Sequence, residues 1–181
     1  MKSIKDVLEN IIKHNLFNDD YVIEPCNDED IERVRIGQNI KRLPQFYIDF
    51  AKLMGNGAGL LFKSSTATCR SLIDIKPEII KRLGDTFDEN GFVLPDDAFV
   101  YQDGWEFFAY FCTDTDEENP TAYRYNIHLS DNPQKIGTFL DHLIEKYEET
   151  IRIVEMHKQQ DEKTREIWRR TAQRRKDKED K

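Results

Sequence analysis

The stretch that decides the fold is Ala98-Phe99-Val100-Tyr101-Gln102-Asp103-Gly104-Trp105-Glu106-Phe107-Phe108-Ala109-Tyr110-Phe111-Cys112. Ala98 to Tyr101 and Trp105 to Cys112 read as two strands. Gln102-Asp103-Gly104 joins them, because Asp-Gly between apolar runs is a strong hairpin signal. The polar run Thr113 to Pro120 leads to a third strand, Ala122 to Ile127, and Phe92-Val93-Leu94 is a fourth candidate ahead of the turn Pro95-Asp96-Asp97. Parallel crossovers need about a dozen or more connecting residues. These spacings are shorter, so the region reads as an antiparallel meander.

Helical periodicity lies on either side of it. Ile4, Val7, Leu8, Ile11 and Ile12 form an amphipathic helix of about four turns, capped by Ser3 and ending near His14 to Asn18. Asn27 or Asp28 caps a second helix carrying Ile31 and Val34, with Gly37 as its stop. Leu43-Pro44 opens a third, lined by Phe46, Tyr47, Phe50 and Leu53 and closed by Gly55-Asn56-Gly57-Ala58-Gly59. That glycine-rich turn follows a helix and lacks a GK[ST] ending, which argues against a phosphate loop. Leu60-Leu61-Phe62 reads as a short buried strand. Leu72 to Ile75 is either a strand or the approach to a helix that starts near Pro77 and stops at Gly84. Ser130-Asp131-Asn132-Pro133 reads as the cap of a final helix that takes in Ile136, Phe139, Leu140, Leu143, Ile144, Tyr147, Ile151 and Val154.

The expected fold is therefore α+β: a mainly antiparallel meander packed by N- and C-terminal helices, with residues 1–150 as the domain and 151–181 as a charged helical tail, extended or frayed. Of the chain's 181 residues, 34% are charged and the formal net charge is −8. The charge is uneven, with 11 basic and 7 acidic residues from Ile151 onward, which leaves residues 1–150 at −12. An acidic body disfavours phosphate contacts and favours steering of a basic partner. No run approaches the ~18 apolar residues of a membrane span. The charged N-terminus does not resemble a signal peptide. Cys26, Cys69 and Cys112 form neither a disulfide framework nor a CxxC pair. The expected setting is cytoplasmic, without membrane insertion.

Candidate chemistry is sparse. His14, His128, His142 and His157 sit in no metal or nucleophile motif, so neither a catalytic residue, a metal nor a cofactor is expected. The acids make better sense as a surface. Asp96, Asp97, Asp103, Glu106, Asp114, Asp116, Glu117 and Glu118 fall near the meander's loops, with Trp105, Tyr101, Tyr110 and Tyr123 close in sequence. Together they suggest an acidic loop face with aromatic anchors, suited to a basic protein. In the tail, acids interleaved with Arg169-Arg170 and Arg174-Arg175-Lys176 favour a solvated helix over a nucleic-acid element.

The order of Asp30-Ile31-Glu32, Leu43-Pro44-Gln45-Phe46-Tyr47-Ile48-Asp49-Phe50, Asn56-Gly57-Ala58-Gly59, the strand pair around Gly104 and Gly137-Thr138-Phe139-Leu140 resembles the SUKH superfamily over about residues 1–150. That superfamily includes the yeast cell-wall synthesis regulator and bacterial immunity proteins. The resemblance implies an α+β domain without catalysis that binds and neutralises a nuclease- or deaminase-type toxin. Its alternative is a regulatory or scaffolding module of the cell-wall regulator type, with the C-terminal helix recruiting partners. The basic tail and the reduction of a glycine-rich stretch to Asp103-Gly104 depart from the pattern.

Overall fold

The computed structural model describes residues 1–85, 91–127 and 132–179. The fold is α+β. Helices α1 (Ile4–Lys13), α2 (Asp28–Gly37), α3 (Gln45–Met54), α4 (Cys69–Leu72) and α5 (Ile75–Asp85) precede a four-stranded antiparallel sheet in simple meander order, β3 (Ala98–Asp103), β4 (Phe107–Cys112), β5 (Thr121–Asn126) and β6 (Gln134–Thr138). Helix α6 (Phe139–Glu179) closes the chain, and a two-residue ladder, β1 (Ile23–Glu24) with β2 (Gly57–Ala58), lies among the early helices. The chain divides into two compact units, residues 1–147 and residues 148–181.

The helix ends follow local chemistry. Ser3 and Asn27 accept from the amides of Asp6 and Asp30, capping α1 and α2. Asn15 and Asn39 take positive φ just past those helices, and Ile40 N–H reaches back to the Arg35 carbonyl. Gly37 is the last residue of α2, as expected, and the left-handed turn beyond it falls on Asn39. The Gly37 backbone is helical, and only glycine fits there because a Cβ would lie 2.3 Å from the Ile73 carbonyl oxygen. In the same way, Gly55 keeps right-handed backbone at the end of α3, and only Gly59 of that cluster has positive φ. Its φ of 58° turns the chain into a 3-10 turn at Gly59–Phe62, where a strand was expected from Leu60-Leu61-Phe62. A three-residue apolar run does not by itself distinguish the two. Asn56 Nδ2 donates to Asp30 Oδ2 at 3.1 Å, tying α2 to the turn after α3.

Strands β3 and β4 are buried on both faces. On one, Phe99, Tyr101 and Phe111 pack against Tyr47 of α3 and Phe139 of α6, with Tyr47 and Phe99 centroids 4.5 Å apart. On the other, Phe108, Tyr110 and Tyr125 meet Phe92, which stacks on Tyr125 at 4.2 Å. Phe92-Val93-Leu94 is a covering loop and not the expected strand. It makes no ladder with β3 or β4 and contributes Phe92 and the buried Leu94 as packing.

The outer edge of β3 is closed by a side chain. Gln38, fully buried after α2, donates from Nε2 to the carbonyls of Val100 (2.8 Å) and Leu72 (3.0 Å), while its Oε1 accepts from Val100 N–H at 2.8 Å. One amide thus stands where a neighbouring strand would be.

The expected helix start near Pro133 is also corrected. Gln134–Thr138 pairs with β5, with Thr121 opposite Thr138, and α6 begins only at Phe139. Of the anticipated cap, Ser130 and Asp131 lie outside the described residues. The cap observed is reciprocal: Asp141 N–H donates to Thr138 Oγ1 (3.2 Å), and Thr138 N–H donates to Asp141 Oδ2 (2.9 Å). The Thr138 amide and hydroxyl both donate to the Asp141 carboxylate and hold it below its ordinary pKa. Asn119 Nδ2 adds a donor to Thr138 Oγ1 at 3.0 Å. Thr138→Ala is expected to cost about 1–2 kcal/mol, read as a lowered urea midpoint with an unchanged slope. A change under ~0.3 kcal/mol would remove the cap's role.

Candidate functional site

The hairpin that decides the fold also distributes the candidate surface residues. Its register runs from Ala98↔Cys112 at one end to Asp103↔Phe108 at the other, so the two ends are roughly 17 Å apart at ~3.3 Å per residue. Asp96, Asp97, Asp114, Asp116, Glu117 and Glu118 gather at the first end. Asp103, Trp105 and Glu106 lie at the second. The structure therefore separates the proposed loop face into two sites.

At the first end the acids are partly engaged. The Asp97 carboxylate accepts from the amides of Thr113 and Asp114, both at 3.0 Å, and so acts as a loop brace. Lys41 lies 3.7 Å from Asp114, and Arg42 lies 3.4 Å from Asp116. Both pairs are exposed, where such contacts contribute at most ~1 kcal/mol. Lys76 donates to the Asp96 carbonyl, and its burial draws its own pKa down. Burial, with Asp97 beside it, raises the Cys112 thiol to about 11.

The second end is a tight tip held by main-chain bonds. Gly104 N–H donates to the Phe107 carbonyl at 2.8 Å, which leaves Trp105 and Glu106 as the two connecting residues. The expected Asp-Gly turn is displaced by two residues. Asp103 belongs to β3, Gly104 lacks positive φ, and a Cβ on Gly104 would fall 2.7 Å from the Phe107 ring. Ile127 N–H donates to the Glu106 carbonyl at 2.8 Å, and Thr66 exchanges two main-chain bonds with Asp103 at 2.7 and 2.8 Å. Arg82 pairs with the Asp103 carboxylate. On this fixed backbone the Trp105 side chain is 89% exposed. It borders an open cleft of about 460 Å³ whose other walls are Lys63, Ser64, Ser65, Thr66 and Arg82. These residues lie 23–42 positions earlier in the chain, and no local pattern announces them.

Two of the remaining aromatic anchors are core residues, and Tyr123 is half-buried. Tyr101 and Tyr110 are buried, and Tyr123 stacks on Tyr110 at 5.6 Å. Burial raises the Tyr101 and Tyr110 hydroxyl pKa values.

A second cluster, not expected from the sequence, lies under the sheet. His142 of α6 is fully buried, with Nδ1 2.6 Å from the Tyr101 hydroxyl and Nε2 3.3 Å from an Arg124 guanidinium nitrogen. A guanidinium only donates, so Nε2 accepts and the proton sits on Nδ1, donated to the Tyr101 oxygen. Arg124 also stacks on the Phe107 ring at 5.3 Å. Burial first, then the charges of Arg124 and Lys146, lower the His142 pKa to about 3. The imidazole is thus a neutral strut whose free lone pair is already engaged.

Cys26 and Cys69 are both buried thiols in mutual contact, with the Tyr47 hydroxyl 3.8 Å from Cys69 Sγ. That contact and burial push the Cys26 pKa up, while donation from Cys26 and Tyr47 draws Cys69 down. Among the described residues no group of His, Cys, Asp and Glu is arranged to hold a metal ion, and no helix is long and apolar enough to cross a membrane. His128 lies outside the described residues. Compared with protein-family models, curated proteins and solved structures, the chain matches none.

Proposed function

We propose that this chain is a non-enzymatic protein-binding domain of the immunity type, which neutralises a basic toxin domain by docking it on the Trp105 tip. The observation that carries this reading is a tryptophan 89% exposed on a two-residue connection whose backbone is fixed from three sides. Large aromatics dominate binding energies when they are presented without an ordering cost. The −12 formal charge of residues 1–150 supplies long-range attraction to a basic partner. The order of short motifs along the sequence supports the same class.

Anchor and steering charge lie at different ends of the hairpin, so they separate experimentally. The full chain is used as bait in its native cell, beside a Trp105→Ala variant. A small basic toxin domain should be retained by the wild type and lost by the variant, and coexpression of wild type should restore growth. Trp105→Ala should weaken the purified complex about 30-fold or more, mostly through faster dissociation, and leave unfolding unchanged within ~0.5 kcal/mol. Equal affinity in the two forms would remove the tip from the interface. Retention only of cell-wall or signalling proteins would replace the immunity reading with a scaffold.

A further inference from the structure

We propose that residues 148–179 form an antiparallel two-helix coil with the same segment of a second copy of this chain. The backbone is helical through Glu179. Along it Ile153, Met156, Gln160, Thr164 and Ile167 recur at steps of three and four, which places them on one stripe of the helix. None is charged, although Glu155, Lys158, Asp161, Glu162, Lys163, Arg165 and Glu166 surround them. Ile153, Met156 and Ile167 are 42%, 59% and 64% exposed, and Trp168 at the stripe's edge is 68% exposed. A solvated helix has no need of a neutral, partly apolar stripe, whereas a coiled-coil seam requires one.

The charge pattern selects the occupant. Residues 148–162 carry five acidic and two basic groups, and residues 163–181 carry nine basic and four acidic. A parallel pair would set like charge on like. An antiparallel pair centred near Glu162 sets the acidic half of each helix against the basic half of the other. The same centre brings Met156 level with Ile167 of the second copy, and Gln160 level with Thr164. One register thus satisfies the apolar and the ionic patterns together, and it does so with a copy of the segment itself.

The test is the mass of the full chain by sedimentation equilibrium over a concentration series, at low and high salt. The expected result is a reversible dimer of the 21.5 kDa chain that weakens as salt screens the paired halves. Met156→Glu with Ile167→Glu should raise the dissociation constant by about 100-fold or more, with the near-UV signal of the aromatic body retained. For orientation, Met156→Cys and Ile167→Cys chains are mixed and oxidised. A cross-link between 156 and 167 is expected, and Met156→Cys alone should not link to itself. A monomer at every concentration overturns the proposal, as does a 156–156 link.

Discussion

Gln38→Leu is expected to lower the unfolding free energy by about 3–5 kcal/mol, because three buried main-chain groups lose their partner at once. The Val100 amide, the Val100 carbonyl and the Leu72 carbonyl all bond to this one side chain. Leucine fills nearly the same volume, so the loss is one of hydrogen bonding rather than packing. Urea unfolding followed by near-UV and far-UV circular dichroism reads the effect, which is a large share of an ordinary domain's ~5–15 kcal/mol. Gln38→Glu is the sharper variant. At neutral pH it turns a carboxylate oxygen toward the two carbonyls that Nε2 now serves, so it should be worse than leucine and should recover relative to it as pH falls. A leucine variant as stable as the wild type would show that water or backbone movement replaces the amide, and the edge-closing role would be lost.

The second large effect is a loss of stability in mild acid, centred on His142. Its pKa falls from 6.5 to about 3 on folding, through burial first and then Arg124 and Lys146. The unfolded chain therefore takes up a proton near pH 6.5 that the folded chain refuses until about pH 3. The sign is fixed by that order. The contribution is fully present above pH 6.5 and is lost as pH falls toward 3, at about 1.4 kcal/mol per pH unit. Between pH 7 and 4.5 the loss should reach roughly 2–3 kcal/mol, mostly above the range in which carboxylates titrate. His142→Leu should be less stable at pH 7, since it strands the Tyr101 hydroxyl and Arg124, yet it should show a much shallower slope across that window. The two slopes would coincide if His142 protonated in place. Nitrogen chemical shifts provide a second reading, with Nδ1 protonated and Nε2 bare at pH 5.

Much of this architecture is legible in local patterns, and the exceptions share a cause. Ser3, Asn27 and the apolar periodicity of α1 to α3 act within one or two turns, so their elements form where the sequence places them. The meander is equally local. By contrast, β6 has no alternation to read. Gln134 and Lys135 are exposed on an edge strand, and Asn132-Pro133 mimics a helix start. The pair Thr138 and Asp141, three residues apart, was the readable signal for where α6 begins. Gln38 meets Val100 across 62 positions, and His142 meets Tyr101 across 41. Such contacts follow from packing and leave no trace in a window of neighbours. The acidic residues mislead for a related reason: a hairpin carries its two turns to opposite ends, so closeness in sequence becomes distance in space. Trp105 was legible as a residue, but its exposure follows from bonds made by Thr66 and Ile127.

Those bonds at the hairpin tip have a consequence for how this protein can change over generations. Gly104 with Phe107, Glu106 with Ile127 and Asp103 with Thr66 are joined through main-chain atoms, so the path of the chain there does not depend on which side chains occupy positions 105 and 106. A lineage is free to exchange both residues while inheriting the same scaffold, its buried ring cluster untouched. The path of the chain and the side chains it displays at the tip are written at separate positions, and the second can change without spoiling the first.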